Sequence, residues 1–348
     1  MKHFARLDTI RAAAILWVVV FHVCGACWGW QTEEWPVRLF GQGGLGVSMF
    51  FVLSGFLIHY TSANQPTSVF CIRRFGRIYP PYLVALLTFA VLYGSFWTAR
   101  GRSDVLGHAL LIHTFKDTTF FSINGSFWSL AHEVQFYALY PLLLRFRRHL
   151  PLLLWASLAA RIGIGVWTRT AHITFANDPA IYLMLPRLYF EWLLGMYVAD
   201  CVLAGRAPKW HPLVGWLALG VAYLTSGRGW LDLATVPAIA LATAVWIVRA
   251  VECPQESRID KLLAPLGVIS YSLYLWHQPI VNELCKRIMH QPANPVVLLS
   301  LAMVVCWLAS VLVAIGAYRA IEVPSIELTK QLAKRLARPT MVVFRQAA

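Results

Sequence analysis

The sequence predicts an all-α membrane protein, a polytopic bundle of about ten transmembrane helices. Its composition indicates this class, because 58% of the 348 residues are hydrophobic and only 13% are charged, far from the balance of a soluble domain. The mean hydropathy of +0.59 agrees with this class. Long apolar segments recur along the whole chain. Basic residues cluster in every second connection between these segments, as the positive-inside rule requires.

Each predicted span is an apolar segment long enough to cross the hydrocarbon core, which takes about 17 to 25 residues of helix. In chain order these segments are 10–28, 44–61, 79–98, 127–144, 150–168, 180–203, 210–226, 230–249, 264–284 and 295–318. The apolar stretch 105–113 is too short to cross, and we expect it in an outer loop. An even number of crossings places both termini on one side of the membrane, and the positive-inside rule predicts that this side is the cytosol.

Basic residues support this orientation, since they concentrate in the predicted inner connections and are sparse in the outer ones. The inner clusters include Arg73, Arg74 and Arg77, then Arg145, Arg147 and Arg148, and later Arg206, Lys209, Arg258 and Lys261. The net charge of +14 is therefore mainly a topological signal, and it suits anionic lipid head groups or phosphates rather than nucleic acid. We expect a membrane domain over residues 1–324, opening on an uncleaved span, and a basic cytosolic tail over residues 325–348.

Cysteine usage indicates neither a disulfide framework nor a metal site. The seven cysteines are scattered and odd in number, unlike the paired spacing of a disulfide-rich domain. Cys24 and Cys27 form a C-x-x-C pair near the outer end of the first span, where we expect packing. No cluster of cysteine and histidine has the spacing of metal ligands, so we expect no metal.

His22 is the strongest functional candidate, because ionisable side chains inside a bilayer are expensive and mark functional sites. Arg11 precedes it by eleven residues, which at about 100° per residue returns to within roughly 20° of the same helix face, with a rise of roughly 16 Å. One face of the first helix therefore carries a cation near the cytosol and an imidazole nearer the outside. A structural His22, hydrogen-bonded to a neighbouring helix, is the alternative.

Several blocks of sequence resemble the membrane-bound acyltransferase-3 family. They occur in the family's order at 7–11 (LDTIR), 21–22 (FH), 46–58 (GVSMFFVLSGFLI), 73–80 (RRFGRIYP), 128–137 (WSLAHEVQFY) and 270–280 (SYSLYLWHQPI). The resemblance extends from residue 7 to about residue 322. Two positions depart from the family pattern, which more often has glycine at Thr9 and an acidic residue at Ser48.

The resemblance implies O-acyl transfer, with acetyl as the expected group, from a cytosolic acyl-CoA to a hydroxyl of an extracytoplasmic carbohydrate. It also implies a multi-pass protein of the bacterial inner membrane in which acetyl-CoA is a donor substrate and no cofactor is permanently bound. Longer members carry an extracytoplasmic hydrolase-like module, and we expect this chain to be the stand-alone form. The identity of the acceptor, the acyl chain length and the oligomeric state stay open.

His22 and Glu133 are the predicted catalytic residues. Acyl transfer to an alcohol needs a general base and a group that orients it, and these two residues reach a similar depth in the membrane. Direct transfer and an acyl-His22 intermediate both remain open. The alternative for Glu133 is a structural ion pair with Arg161 or Arg187.

Arg74 and Arg77 are the predicted acyl-CoA ligands, because guanidinium groups suit bidentate phosphate contacts and the family pattern includes this R-x-x-R spacing. Arg11 would guide the donor at the cytosolic mouth. Ordinary membrane anchoring is the alternative for the pair. The same motifs supply possible supporting residues, namely Arg73, Tyr271 and His277, and for His277 a structural hydrogen bond is an equal alternative.

Two other classes of function also fit intramembrane His, Glu and Arg residues. One is a proton-coupled transporter or exporter of a saccharide or small molecule, against which stands the absence of an internal sequence duplication. The other is a non-catalytic scaffold or sensor. Glu191 and Arg161 lie near mid-membrane, where we expect them to pair with each other or to line a cavity.

Overall fold

The structure, a computed structural model, describes residues 4–29, 41–292 and 294–336. Within these ranges every regular element is helical and no strand occurs, which confirms the predicted all-α class. The α-helices in chain order are α1 Ala5–Trp28, α2 Gly44–Ser62, α3 Thr67–Leu92, α4 Ala99–Ala109, α5 Asp117–Phe120, α6 Trp128–Arg145, α7 Leu150–Thr170, α8 Pro179–Tyr182, α9 Leu185–Leu203, α10 Pro212–Thr225, α11 Thr235–Glu252, α12 Arg258–Val268, α13 Ser270–Met289, α14 Pro295–Ala317 and α15 Val323–Leu336.

Six helical segments in the described part of the chain are long and apolar enough to cross a membrane, namely Ala5–Trp28, Gly44–Ser62, Thr67–Leu92, Arg147–Thr170, Gly229–Glu252 and Pro295–Arg335. The other predicted spans coincide with α6, α9, α10 and α13. These helices are shorter or carry buried polar side chains such as Glu191 and His277, so apolar composition alone does not identify them as spans. Ten crossings and two cytosolic termini stay predictions.

Two predicted boundaries differ from the structure. The third segment was expected from residue 79, but α3 begins at Thr67 and takes the whole Arg73–Arg77 cluster into its first turns, because charged residues are good helix formers at a membrane surface. The segment 264–284 is divided, since α12 ends at Val268 and α13 starts at Ser270. The stretch 105–113 forms no long helix, and α4 packs on α3 through hydrogen bonds from Tyr79 and Tyr82.

Close backbone contact joins α2 to α9 at the centre of the bundle. A Cβ atom on Gly55 would overlap the backbone oxygen of Trp192, and a Cβ atom on Gly195 would overlap the backbone oxygen of Val52. Such reciprocal small-residue contacts hold membrane helices together, because lipid offers them no hydrophobic driving force. The α2–α9 pair thereby provides a rigid wall against which the site helices are placed.

α1 lies among α2, α12 and α13, and polar contacts hold its first turns. Thr9 Oγ1 donates to Asp260 Oδ1 at 2.9 Å, and Arg6 Nε lies 3.3 Å from Asp260 Oδ2. Asp260 also caps its own helix α12 through Ser257. Desolvation raises the pKa of this carboxyl, but the hydrogen bonds from Ser257 and Thr9 and the charge of Arg6 outweigh it, so the pKa lies below its usual value.

The first part of the predicted basic tail is a helix docked on the bundle. A π-helical turn, Tyr318–Glu322, links α14 to α15, and Ser325 Oγ of α15 donates to the backbone oxygen of Gly76 on α3. The remainder of the predicted tail, residues 337–348, lies outside the described residues. The division of the chain at residue 324 stays a prediction.

Candidate active site

A cavity of about 90 Å³ opens among α1, α2, α3, α6 and α13, and we call it the arginine cavity. Its ionisable lining consists of Arg11, Arg74, Arg77 and Glu133. The hydroxyl groups in its lining belong to Ser54, Ser129, Tyr137, Ser270, Tyr271 and Tyr274. The structure thus brings three predicted acyl-CoA ligands and one predicted catalytic residue to a single site, although they come from three different helices.

Local contacts hold two of these arginines in place. Arg11 Nη1 donates to Asp8 Oδ1 at 3.1 Å within α1, and Arg74 Nη2 donates to Thr61 Oγ1 at 3.0 Å across the α2–α3 turn. Arg74 and Arg77 lie three residues apart on α3 and therefore share a helix face. Three guanidinium groups and one carboxylate line the cavity, which favours a ligand with several negative charges.

Arg73 lies apart from the arginine cavity. Its side chain is exposed on the outside of α3 and reaches Gln65 Oε1 at 3.5 Å. Tyr271, by contrast, lines the cavity, and its hydroxyl donates to the backbone oxygen of Ile78 at 2.7 Å. Of these two predicted supporting residues, the structure therefore places only Tyr271 beside the cavity.

Glu133 is held by hydroxyl groups rather than by a cation. Ser54 Oγ donates to Glu133 Oε1 at 2.8 Å, and the Tyr137 hydroxyl, one turn further along α6, donates to the same oxygen. The alternative partners lie elsewhere, because Arg161 pairs with Glu191 at 3.1 Å. The position of Glu133 is therefore set by neutral donors that leave its charge available to a bound ligand.

His22 contacts His277 across the α1–α13 boundary. His277 Nε2 lies 3.3 Å from His22 Nδ1, and the ring centroids are 4.8 Å apart. His277 is fully buried, and its Nδ1 lies 2.9 Å from the backbone oxygen of Tyr274. No sequence pattern indicated this contact, since the two residues lie 255 positions apart.

The hydrogen-bond network assigns the tautomers of this pair. The backbone oxygen of Tyr274 can only accept, so His277 carries its proton on Nδ1 and presents a lone pair on Nε2. His22 Nδ1 faces that lone pair and also the backbone oxygen of Val18 at 2.8 Å, so it carries the proton. The basic lone pair of a neutral His22 is therefore on Nε2, which is the atom that a general base uses.

Tyr274 lies between the histidine pair and the arginine cavity. Its ring centroid is 5.6 Å from that of His277, and its hydroxyl lies 2.7 Å from Ser129 Oγ. Among the described residues, the lining of the arginine cavity includes Tyr274 but not His22 or His277. The direct pairing of His22 with Glu133 stays a prediction.

Sequence reasoning missed the roles of Ser54, Tyr137 and Tyr274. No residue near Ser54 in the sequence could act as a base for its hydroxyl, yet the fold places that hydroxyl against Glu133. The position of Tyr137 could have been predicted, because a spacing of four residues from Glu133 places both side chains on one face of α6.

Within the described ranges, no group of three or more His, Cys, Asp or Glu residues is arranged to hold a metal ion.

A second cavity, of about 240 Å³, lies among α2, α7, α9 and α11, and we call it the outer cavity. It is lined by Arg161, Arg187, Glu191 and Asp232, and by aromatic residues that include Trp128, Phe175 and Tyr182. The expected pairing of Arg161 with Glu191 is confirmed, since Arg161 Nη1 lies 3.1 and 3.2 Å from the two carboxylate oxygens. Both residues also line this cavity.

Comparison with known proteins finds a family described as an acyltransferase domain, which matches residues 4–315. The peptidoglycan O-acetyltransferase OatA of Listeria monocytogenes is 25% identical over 327 residues, which cover 81% of this chain and 50% of that protein. The O-acetyltransferase OatA of Staphylococcus aureus is 25% identical over 328 residues, which cover 80% of this chain and 51% of that protein. The chain thus spans about half the length of these relatives. No solved structure matches.

Proposed function

Because the chain belongs to the acyltransferase-3 family, we propose that it is an O-acetyltransferase that uses cytosolic acetyl-CoA and modifies a carbohydrate on the outer side of a bacterial inner membrane. The observation that carries this proposal is the arginine cavity, in which Arg11, Arg74 and Arg77 surround a space bordered by Glu133. The names of the relatives, both O-acetyltransferases, support the reaction class. They also support a peptidoglycan sugar as one acceptor.

The donor fits the arginine cavity by charge and by position. CoA carries several phosphate charges at one end and its thioester at the other, so a cationic mouth with a less charged interior suits it. Arg74 and Arg77 lie in the first half of α3, and Arg11 lies in the first half of α1. With both helices starting at the cytosol, the phosphates bind at the cytosolic mouth and the acyl group points towards Tyr274 and the histidine pair.

His22 acts as the general base for the acceptor hydroxyl. Its Nε2 takes the proton of the acceptor hydroxyl, and the oxygen attacks the carbonyl carbon of the thioester. The carbon–sulfur bond then breaks, and the CoA thiolate leaves with the proton from the imidazolium. In the second route His22 Nε2 attacks the thioester carbon, the carbon–sulfur bond breaks and CoA leaves as the thiolate. The acceptor hydroxyl then attacks the acyl-imidazolium, its proton passes to the thiolate, and neutral His22 is released. Both routes use the same lone pair.

The orientation follows from the ends of the helices that meet at each cavity. The outer cavity is lined by Gly44 at the start of α2, by Phe175 after α7 and by Thr235 at the start of α11. The arginine cavity is lined by Ser270 at the start of α13 and by residues of the opposite half of α2. An N-terminus in the cytosol therefore places the arginine cavity towards the donor and the outer cavity towards the acceptor.

The test uses purified full-length protein in liposomes with acetyl-labelled acetyl-CoA and soluble peptidoglycan glycan fragments. We expect alkali-labile label on the glycan and saturable binding of CoA. A variant with His22→Ala should bind CoA but transfer no label. Failure of the wild-type protein to bind CoA would overturn the donor assignment, and proton-driven movement of a saccharide without label transfer would make the protein a transporter.

A further inference from the structure

We propose that the outer cavity is the acceptor site and that it selects a saccharide carrying a negative charge, which Arg187 binds. This inference rests on the proposed O-acetyltransferase activity, and it adds the place and the chemical class of the acceptor. Three features of the outer cavity carry it, namely a buried guanidinium that no carboxylate contacts, the aromatic lining and the position relative to the arginine cavity.

The lining of the outer cavity carries two guanidinium groups and two carboxylates, but these groups do not pair one to one. Arg161 contacts both oxygens of Glu191, and Asp232 Oδ2 accepts from Arg169, outside the lining, at 2.9 Å. Arg187 contacts only neutral acceptors in the described part of the chain, namely Thr168 Oγ1 at 3.2 Å and the backbone oxygen of Tyr182 at 3.1 Å. Arg187 is thus the arginine of the lining that no carboxylate contacts directly.

The guanidinium of Arg187 is buried. Arg187 is 6% exposed, and its Cζ lies 3.9 Å from the ring centroid of Tyr182, whose face it covers. A buried cation that no carboxylate contacts is costly, and a bidentate contact with a carboxylate or phosphate is what a guanidinium fork provides best. The geometry therefore favours an anionic ligand at Arg187.

The remaining lining suits a sugar ring. Trp128, Phe175 and Tyr182 supply flat apolar faces, and Ser48 and Glu191 supply hydrogen-bonding oxygens. Such a combination of apolar walls with a few placed polar groups is typical of small-molecule sites. The cavity volume of about 240 Å³ lies near the lower end of the range for small-molecule sites, roughly 300 Å³, which suits a single saccharide unit.

The two cavities share a wall. Val47 of α2 lines both of them. On α6, Trp128 lines the outer cavity while its neighbour Ser129 lines the arginine cavity. A saccharide held by Arg187 is therefore separated from the donor side only by the first turns of α2 and α6, so its hydroxyl needs to pass a single layer of side chains.

The test compares acceptors that differ only in charge. Wild-type protein receives labelled acetyl-CoA with an N-acetylmuramic-acid disaccharide, its methyl ester, or a phosphorylated disaccharide. We expect transfer to the free acid to exceed transfer to the ester at least tenfold in kcat/KM, and the phosphorylated sugar tells carboxylate from phosphate preference. Equal use of acid and ester would overturn the inference while leaving the proposed activity intact, whereas no transfer to any of them would overturn the activity itself.

Variants test whether Arg187 causes the preference for an acidic acceptor. Arg187→Gln should raise KM for the acidic acceptor at least tenfold and leave KM for acetyl-CoA unchanged, while Arg187→Lys should retain part of the preference for the acid. The exposed Arg228, after α10, is the matched control, and Arg228→Gln should change neither constant. Arg187→Gln with an unchanged preference for acid over ester would overturn the role of Arg187. The comparison of wild-type acceptors remains decisive if Arg187→Gln fails to fold.

Discussion

At His22 the backbone and a second histidine perform the orienting task that a carboxylate performs in many acyl-transfer sites. The backbone oxygen of Val18 and Nε2 of His277 both face His22 Nδ1, so the tautomer is fixed before any substrate binds. His277, fully buried and hydrogen-bonded to the Tyr274 backbone, is itself held in place. The pair therefore supplies one oriented lone pair, on Nε2 of His22.

Replacing His22 by alanine should remove the base and spare the fold. We expect a loss in kcat of about 10²- to 10⁴-fold, the usual worth of a general base, with acetyl-CoA binding unchanged. The matched control is His290→Ala, because His290 is exposed after α13 and should be dispensable. Label transfer by purified protein measures both. Turnover above about a tenth of wild type in His22→Ala would exclude His22 as the base.

The predicted coupling of His22 with Glu133 has its own test. If the two residues serve one proton path, Glu133→Gln should add little to the loss already caused by His22→Ala. Glu283→Gln, which changes an exposed carboxylate paired with Arg287, serves as the control. Turnover of the single and double variants is measured together. Losses that simply multiply would separate Glu133 from the base and leave it a role in binding the donor.

The arginines of α3 allow a sharp comparison within one helix turn. Arg74→Ala and Arg77→Ala should each weaken CoA binding by about tenfold or more, since each removes a charge-assisted contact worth about 1.5 to 3 kcal/mol. Arg73→Ala should leave the affinity unchanged, because Arg73 is exposed and reaches Gln65 instead. Titration of CoA by calorimetry decides the matter. Equal affinities in all three variants would return Arg74 and Arg77 to membrane anchoring.

At the scale of elements, the packing of α2 on α9 holds in place a helix, α2, that lines both cavities. A Cβ atom on Gly195 would overlap the backbone oxygen of Val52, which cannot move without shifting the helix. Gly195→Ala should therefore destabilise the protein by about 1 to 3 kcal/mol, as overpacking does. Gly163→Ala is the control, because its Cβ would meet open space and alanine favours helix. Thermal unfolding in detergent compares them, and an equal Tm in both would contradict the close approach.

Local sequence predicted much of the helical architecture, but it did not predict the contacts between helices that lie far apart in the chain. Apolar length and basic clusters predicted ten helices to within several residues in most cases, namely α1, α2, α3, α6, α7, α9, α10, α11, α13 and α14. Arg74 and Arg77 were expected in the loop before the third span, but they lie within α3. The break at Ile269 was missed, because α12 and α13 are separated by a single residue in an apolar stretch. The contacts of His22 with His277 and of Ser54 with Glu133 were also missed, since hydropathy places a residue in depth but does not say which helices are neighbours.

At the scale of the whole molecule, the proposed reaction divides between the two cavities. Three guanidinium groups line the arginine cavity, and the outer cavity is lined by two guanidinium groups and two carboxylates. The histidine pair lies beside Tyr274 on the arginine-cavity side. In the proposed reaction a polar donor and a polar acceptor approach from opposite sides, so that only the acyl group has to cross the low-dielectric layer between them.

The predicted number of membrane crossings can be tested at two positions in the chain, because the ten-span and six-span arrangements place them on opposite sides. With ten spans and a cytosolic N-terminus, residue 172 after α7 faces outwards and Cys253 after α11 faces the cytosol. With only the six most apolar segments spanning, both sides are reversed. We expect a membrane-impermeant thiol reagent on intact cells to label His172→Cys, whose site is exposed, and to leave Cys253 unlabelled until the membrane is permeabilised. Exposed Cys71 faces the cytosol in both arrangements and serves as the control for leakage. Labelling of Cys253 in intact cells, with His172→Cys protected, would contradict the ten-span arrangement.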